Sequence, residues 1–150
     1  MKERVLITGA SGFIGYHLIE EALNNNLEVY AAVRKTSQTD HLKNFKIQFT
    51  YPDFGNVESL KKEFAENNYD YIIHAAGATK ARSQREYNYI NSKYVHNIAQ
   101  AVIESKIKLK KFVLMSSLAA LGPLESLKGV ISENSYANPI TRYGVSKLLG

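Results

Sequence analysis

Val5-Leu6-Ile7-Thr8-Gly9-Ala10-Ser11-Gly12-Phe13-Ile14-Gly15 carries an apolar run of strand length into a glycine-rich turn, after which the pattern resumes with helical spacing. Each of the three glycines has a separate task in such a strand–turn–helix. Gly9 lets the chain leave the strand in a tight turn. Gly12 lets backbone approach a pyrophosphate with no side chain in the way, and Gly15 lets the helix pack close against its strand. A helix opening near Phe13 and Ile14 turns unpaired N–H groups and the positive end of its dipole toward the phosphates. Glycines alone would mark only a turn. The preceding strand and following helix are the context that a dinucleotide-phosphate site demands.

Outward from this stretch, apolar strands alternate with amphipathic helices. The strands read as Val5–Thr8, Glu28–Val33, Ile47–Tyr51, Tyr71–His74 and Lys111–Ser116, and the helices as Ile14–Asn24, Val57–Glu66 and Gln84–Ser105. Short buried strands in β-α-β-α order predict an α/β fold, a doubly wound parallel sheet of the Rossmann type with helices on both faces. Asn24-Asn25-Asn26 suits the end of the first helix, because Asn tolerates the left-handed cap conformation. The 150 residues form one dinucleotide-binding domain, residues 1–150. Five strands are visible where the doubly wound dinucleotide fold has six, and Thr141–Gly150 reads as the opening of another helix. The fifth strand would then be a sheet edge. The expectation is an N-terminal fragment, truncated after the fifth strand, whose substrate domain lies elsewhere.

The composition excludes several classes. With no cysteine there is no disulfide framework or thiolate metal site, and the four histidines are scattered without metal-ligand spacing. No apolar stretch has membrane-spanning length, and Lys2-Glu3-Arg4 leads straight into a strand, so a cytoplasmic protein is expected. A net charge of +5 raises nucleic acid as a partner. The densest basic stretch, Lys106 to Lys111, alternates with Ile107 and Leu109 and lacks an aromatic platform, so it reads as a solvated connection into a strand. No nucleic-acid or membrane partner is expected; the positive bias suits an anionic cofactor or substrate.

Arg34-Lys35 follows the second strand, where NAD-binding members of this architecture place an acid on the ribose hydroxyls. A guanidinium there suits a 2′-phosphate. Arg34, helped by Ser11 and Lys35, therefore favours NADP over NAD, the alternative being two basic residues that merely open a surface loop. Asp53-Phe54 after the third strand offers a rest for adenine. Ala75-Ala76-Gly77 after the fourth is small enough for a cofactor to lie across the strand ends.

The fifth strand ends in Ser116-Ser117, and Tyr143-Gly144-Val145-Ser146-Lys147 follows. Tyr143 and Lys147, at i and i+4, share a helix face. A phenol ordinarily titrates near pH 10, and a neighbouring ammonium favours its phenolate, which suits proton transfer near neutrality. Tyr89 and Lys93 have the same spacing but precede the fifth strand, with no strand-end serine upstream. Tyr89 is read as surface or helix packing.

TGASGFIG, HAAG, SSLAALG and YGVSK, in that order, resemble the extended short-chain dehydrogenases/reductases, and the chain is similar to the N-terminal half of their epimerase/dehydratase branch. The resemblance implies a catalytic set of Ser117, Tyr143 and Lys147. Tyr143 would be the acid/base, Lys147 would lower its pKa and hold the nicotinamide ribose, and Ser117 would position the substrate oxygen. Ser117 is chosen over Ser116 by counting back four residues from Leu121, where the family often has Tyr-Gly in place of Leu121-Gly122. Asn91 matches an Asn that helps place the lysine. Tyr94-Val95 departs from a Gly-Thr common in the family. Val29 to Lys35 resembles the NADP-using dihydroflavonol-reductase-like members more than the NAD-using sugar epimerases.

The resulting expectation is an NAD(P)-dependent enzyme passing hydride between a secondary alcohol or ketone carbon and a nicotinamide, with a small-molecule substrate such as a nucleotide sugar. An epimerase or dehydratase returns the hydride, whereas a carbonyl reductase releases oxidised cofactor. The alternative is a non-catalytic dinucleotide-binding module. The resemblance also implies a homodimer formed through helices flanking the sheet.

Overall fold

Val5, Leu6, Ile7 and Thr8 are fully buried, as a strand in the middle of a parallel sheet must be. The computed structural model describes residues 2–124 and 129–150. The chain divides into two compact units. One runs through Ala76 and resumes over Asn97–Met115; the other comprises Gly77–His96 and Ser116–Gly150.

The first unit contains β1 (Arg4–Thr8), α1 (Phe13–Asn24), β2 (Glu28–Ala32), β3 (Gln48–Thr50), α2 (Val57–Asn67), β4 (Tyr71–His74) and β5 (Lys111–Leu114). All strands are parallel, in the order β3-β2-β1-β4-β5. The chain thus steps outward from β1 to β3, then returns to β4 on the other side of β1. Ligands of open α/β sheets bind at the carboxyl ends of the strands where the order reverses, and the turn starting at Gly9 leaves β1 at that place.

Because strand side chains alternate, β1 and β2 feed two cores. Val5, Ile7, Val29 and Ala31 pack with Ile19 and Ala22 of α1. Leu6, Tyr30, Ala32 and Ile72 pack on the opposite face with Leu60 and Phe64 of α2 and with Ile98 and Ala101. The last two belong to α4 (Tyr94–Ser105). Helices on both faces are thereby accounted for by the sequence alternation itself. Asn26 takes the left-handed conformation after α1 (φ 60°), as the triple-Asn run predicts, and Asn68 does so after α2 (φ 48°). Asn56 caps α2, its Oδ1 accepting the Ser59 N–H at 3.1 Å.

Three boundaries differ from the sequence reading. β2 stops at Ala32, β3 covers only Gln48–Thr50, and β5 stops at Leu114. Single ladder-like bonds continue past two of these ends, Val33 N–H to Thr50 C=O at 3.0 Å and Met115 N–H to His74 C=O at 2.9 Å. Apolar character runs past the point where regular pairing ends. β5 is an edge among the described strands, with Val113 39% exposed. In the lysine-rich connection Ile107 and Leu109 pack on the second core. Lys110 pairs with Glu3 and, at 3.3 Å, with Asp70.

The second unit holds α3 (Gln84–Asn88), a π-helical turn at Tyr89–Lys93, the start of α4, a 3-10 turn at Leu118–Ala120 and α5 (Arg142–Leu148). The single helix expected over Gln84–Ser105 is therefore interrupted by one wide turn. Such turns cost regular hydrogen bonding and gather at functional sites. Tyr89 is half exposed and meets Tyr94 edge-on at 5.1 Å, the packing role the sequence assigns it. Thr141 opens α5 by accepting the Gly144 N–H at 2.9 Å.

Candidate active site

The residues singled out by the sequence fall into two groups, one in each unit. In the sheet unit Gly9 has φ +68°, and a Cβ there would stand 2.8 Å from Ala76 N and 2.9 Å from Ala75 C and O. Its lack of a side chain thus serves both the turn and the approach of the β1 end to the β4 end. A Cβ on Gly15 would stand 2.3 Å from Gly9 O and 2.7 Å from Ala10 Cα. The close contact of α1 is with this turn rather than with the body of the strand, which refines the role read from sequence. Gly12 is different. Its N–H donates to Gly9 O at 3.0 Å, and a Cβ would meet only that oxygen, at 3.3 Å. Gly12 is exposed and caps α1 without any side-chain hydrogen bond, and Phe13 and Ile14 beside it are 82% and 48% exposed. Ser11 is half-buried in the same turn. Open backbone at the N-terminus of a 12-residue helix, free of side chains, fits a pyrophosphate.

Thr8 and His74, both buried, tie the end of β1, where this turn begins, to the end of β4. Thr8 Oγ1 accepts the Ala76 N–H at 3.0 Å and lies 2.8 Å from His74 Nδ1. Ala75 and Ala76 are half-buried at the end of β4. Arg34 and Lys35 are exposed in a turn closed by Arg34 N–H to Ser37 Oγ (3.1 Å) and Ser37 N–H to Arg34 C=O (2.9 Å). The Asp53-Phe54 pair divides. Asp53 is exposed, its carboxylate accepting the Gly55 N–H at 2.9 Å. Phe54 is half-buried, 6.0 Å edge-on from the His74 ring, and its carbonyl accepts from Asn97 Nδ2 at 2.8 Å.

In the helical unit Asn91 sits in the π turn and is 1% exposed. Its Oδ1 accepts the Ala78 N–H at 2.7 Å, and its Nδ2 donates to Ala78 C=O and to Ser146 Oγ, each at 2.9 Å. Gly77 leaves room for it, since a Cβ there would stand 3.1 Å from Asn91 Oδ1. Ser146 is fully buried and donates to Tyr143 C=O at 2.7 Å. Ser117 caps the 3-10 turn, its Oγ accepting the Ala119 N–H at 3.2 Å, and the hydroxyl hydrogen remains for another acceptor. Gly144 lies against that same turn; a Cβ there would be 2.2 Å from Ala119 O. Tyr143 is half-buried, with its ring 6.2 Å from that of Tyr87.

Lys147 is buried, and burial holds its pKa below the ordinary lysine value of 10.5. The unfolded chain keeps the proton to higher pH than the folded one, so this group's contribution to stability rises as pH climbs from the depressed value toward 10.5. Lys147→Met removes that dependence. The wild-type minus variant difference in denaturation midpoint should therefore change in the wild type's favour as pH is raised toward 10.5.

Sequence reasoning missed Thr8 with His74, Ala78, Gly144 and Ser146. The last two stand inside YGVSK itself and were legible as types, but their contacts depend on segments 25 to 55 residues away (144 − 119 and 146 − 91). Among the described residues no cluster of His, Cys, Asp or Glu could hold a metal ion. No helix among them is long and apolar enough to cross a membrane.

A parallel sheet whose order reverses at β1, with a glycine-rich turn opening a helix there, defines a doubly wound fold of the dinucleotide-binding kind. The chain belongs to the NAD-dependent epimerase/dehydratase family, whose sequence profile matches residues 5–150. A UDP-glucose 4-epimerase from Pisum sativum is 28% identical over 97% of the chain and 45% of its own length. A UDP-glucose 4-epimerase from Caenorhabditis elegans is 31% identical over 97% of the chain and 46% of its own. The Bordetella bronchiseptica enzyme WbmG, solved in complex with NAD and UDP, superposes with a TM-score of 0.83 at 23% identity, over 99% of this chain and 48% of that one. The chain thus spans about half the length of the relatives it matches.

Proposed function

We propose that this chain is the N-terminal, cofactor-binding and acid/base half of an NAD(P)-dependent epimerase acting on a nucleotide sugar, the substrate pocket being completed by sequence corresponding to the other half of its relatives. The observation that carries this reading is α5. It presents Tyr143 and Lys147 one turn apart, with Lys147 buried and Ser146 bonded to the buried Asn91. The nicotinamide, when bound, supplies a reversible hydride acceptor. Tyr143 takes the proton from the sugar hydroxyl as it becomes a ketone and gives it back on the return step. The Lys147 ammonium favours the phenolate form and offers N–H groups to ribose hydroxyls. Ser117 donates its free hydroxyl hydrogen to the reacting oxygen. Gly9, Gly12 and Gly15 shape the pyrophosphate turn, with Ser11 beside it, and Ala75, Ala76 and Gly77 leave room at the strand ends.

The cofactor is assigned as NADP in preference to NAD on the residues at the end of β2. Ala32 and Val33 provide no carboxylate there, and the exposed Arg34 and Lys35 that follow provide two cations. Isothermal titration with NADPH and NADH at fixed salt is expected to show the tighter binding for NADPH. Arg34→Ala should weaken NADPH by about 10- to 100-fold, the worth of charge-assisted contacts to a phosphate, and leave NADH little changed. Equal loss for both cofactors would place Arg34 outside a 2′-phosphate site. The activity itself is tested by interconversion of UDP-glucose and UDP-galactose by the full-length gene product. Absence of turnover with bound cofactor would set aside the UDP-hexose as substrate.

A further inference from the structure

The register of α5 about its own axis is fixed on two sides. At about 100° per residue, Tyr143 and Lys147 are about 40° apart, and Gly144 and Ser146 lie about 80° to either side of their midline. On one side Gly144 is in backbone contact with the Ala119 carbonyl, where a Cβ would stand at 2.2 Å. On the other, Ser146 Oγ accepts from Asn91 Nδ2 at 2.9 Å. Asn91 is in turn tied to both polar atoms of the Ala78 peptide group, at 2.7 and 2.9 Å. The Ser146 hydroxyl also donates to Tyr143 C=O at 2.7 Å. Ser146 and Asn91 are 0% and 1% exposed, so water cannot replace a bond lost between them. The π turn at Tyr89–Lys93 carries Asn91 to this contact.

We infer that Ser146 is a positioning residue for the acid/base pair. Its hydroxyl joins the Asn91 amide to the first turn of α5 and so sets the rotation at which the helix presents Tyr143 and Lys147. A lone structural serine would need one partner. This one completes a chain from Ala78 through Asn91 to the backbone of Tyr143, opposite the one place where α5 tolerates no Cβ. The inference rests on the functional reading above, in which Tyr143 and Lys147 are the reacting pair.

Ser146→Ala, Ser146→Cys and Tyr143→Phe, made in the full-length gene product, separate the two claims. Deleting the hydroxyl leaves a buried Asn91 N–H unpaired, worth about 10- to 100-fold. For Ser146→Ala, kcat with UDP-glucose should fall within that range. KM for the sugar nucleotide should stay near wild type, and Kd for NADPH should rise by much less than kcat falls, Lys147 being only one of the proposed cofactor contacts. Ser146→Cys, nearly isosteric and a weaker hydrogen-bonding group, should fall between the two. Amide hydrogen exchange should accelerate by about tenfold over Arg142–Leu148 and stay unchanged over Phe13–Asn24. Wild-type kcat in a folded Ser146→Ala overturns the inference, as does a loss of cofactor affinity that parallels kcat. If Ser146→Ala does not fold, wild-type kcat and exchange in Ser146→Cys overturn it equally. Turnover surviving in Tyr143→Phe, by contrast, refutes the acid/base reading itself. An inactive Tyr143→Phe beside a normal Ser146→Ala refutes only the role of Ser146.

Discussion

Tyr143→Phe is expected to lower turnover of the full-length enzyme by about 10²- to 10⁴-fold, the range for removal of a general acid/base. NADPH should still bind, because the proposed pyrophosphate turn, residues 9–15, and the Thr8–His74 bond belong to the sheet unit and Tyr143 to the helical one. The phenol is half-buried and its nearest ring partner is Tyr87, at 6.2 Å. No hydrogen bond to the hydroxyl supports the fold among the described contacts, so the stability cost should be small. The measurement is steady-state turnover beside a cofactor titration on the same preparation. A variant retaining near-normal kcat would remove Tyr143 from the chemistry and with it the reading of YGVSK as the acid/base motif.

Gly12→Ala and Gly15→Ala should fail in opposite ways. A methyl on Gly15 would enter the Gly9 and Ala10 backbone at 2.3 to 2.7 Å, and backbone cannot step aside as a flexible side chain would. A destabilisation of about 3 kcal/mol or more is expected, the upper range for overpacking, visible as a large fall in the denaturant midpoint with no cofactor present. A methyl on Gly12 meets one carbonyl oxygen at 3.3 Å and otherwise open space. Its cost to folding should be about 1 kcal/mol, chiefly the poorer N-cap. On the proposed reading the same methyl would stand where the phosphates come, so NADPH affinity should fall by about 10- to 100-fold through displaced charge-assisted bonds. Similar effects of the two substitutions on stability would mean that the turn is looser than the contacts indicate.

These contrasts mark what the chain's order alone conveys. The five parallel strands and their flanking helices were legible because alternation within a strand and spacing along a helix are local signals that burial enforces. Val5 and Ile7 point to one core and Leu6 to the other for no reason beyond strand geometry. The triple-Asn terminator and the Thr141 start of α5 were legible for the same reason, since a cap is settled by neighbours in sequence. Family membership too was carried by short motifs in order.

Other features depended on distance. Asp53 and Phe54 read as one adenine rest, yet only Asp53 is exposed, because Phe54 is drawn toward His74 and Asn97. The helix over Gln84–Ser105 read as continuous, and nothing in its propensities marks the π turn, whose Asn91 is held by Ala78 and by Ser146.

The sequence by itself determined the sheet and the glycine turn and singled out the proposed acid/base pair, since each is written in residues that are neighbours along the chain. Only the tertiary structure decided that Gly15 answers to Gly9, that Lys147 loses water, and that Asn91 and Gly144 fix the rotation of α5. Those outcomes come from which distant surfaces meet, and hydrogen bonds or close contacts across 55 or 25 residues (146 − 91 and 144 − 119) leave no periodic trace in the order of the residues that make them.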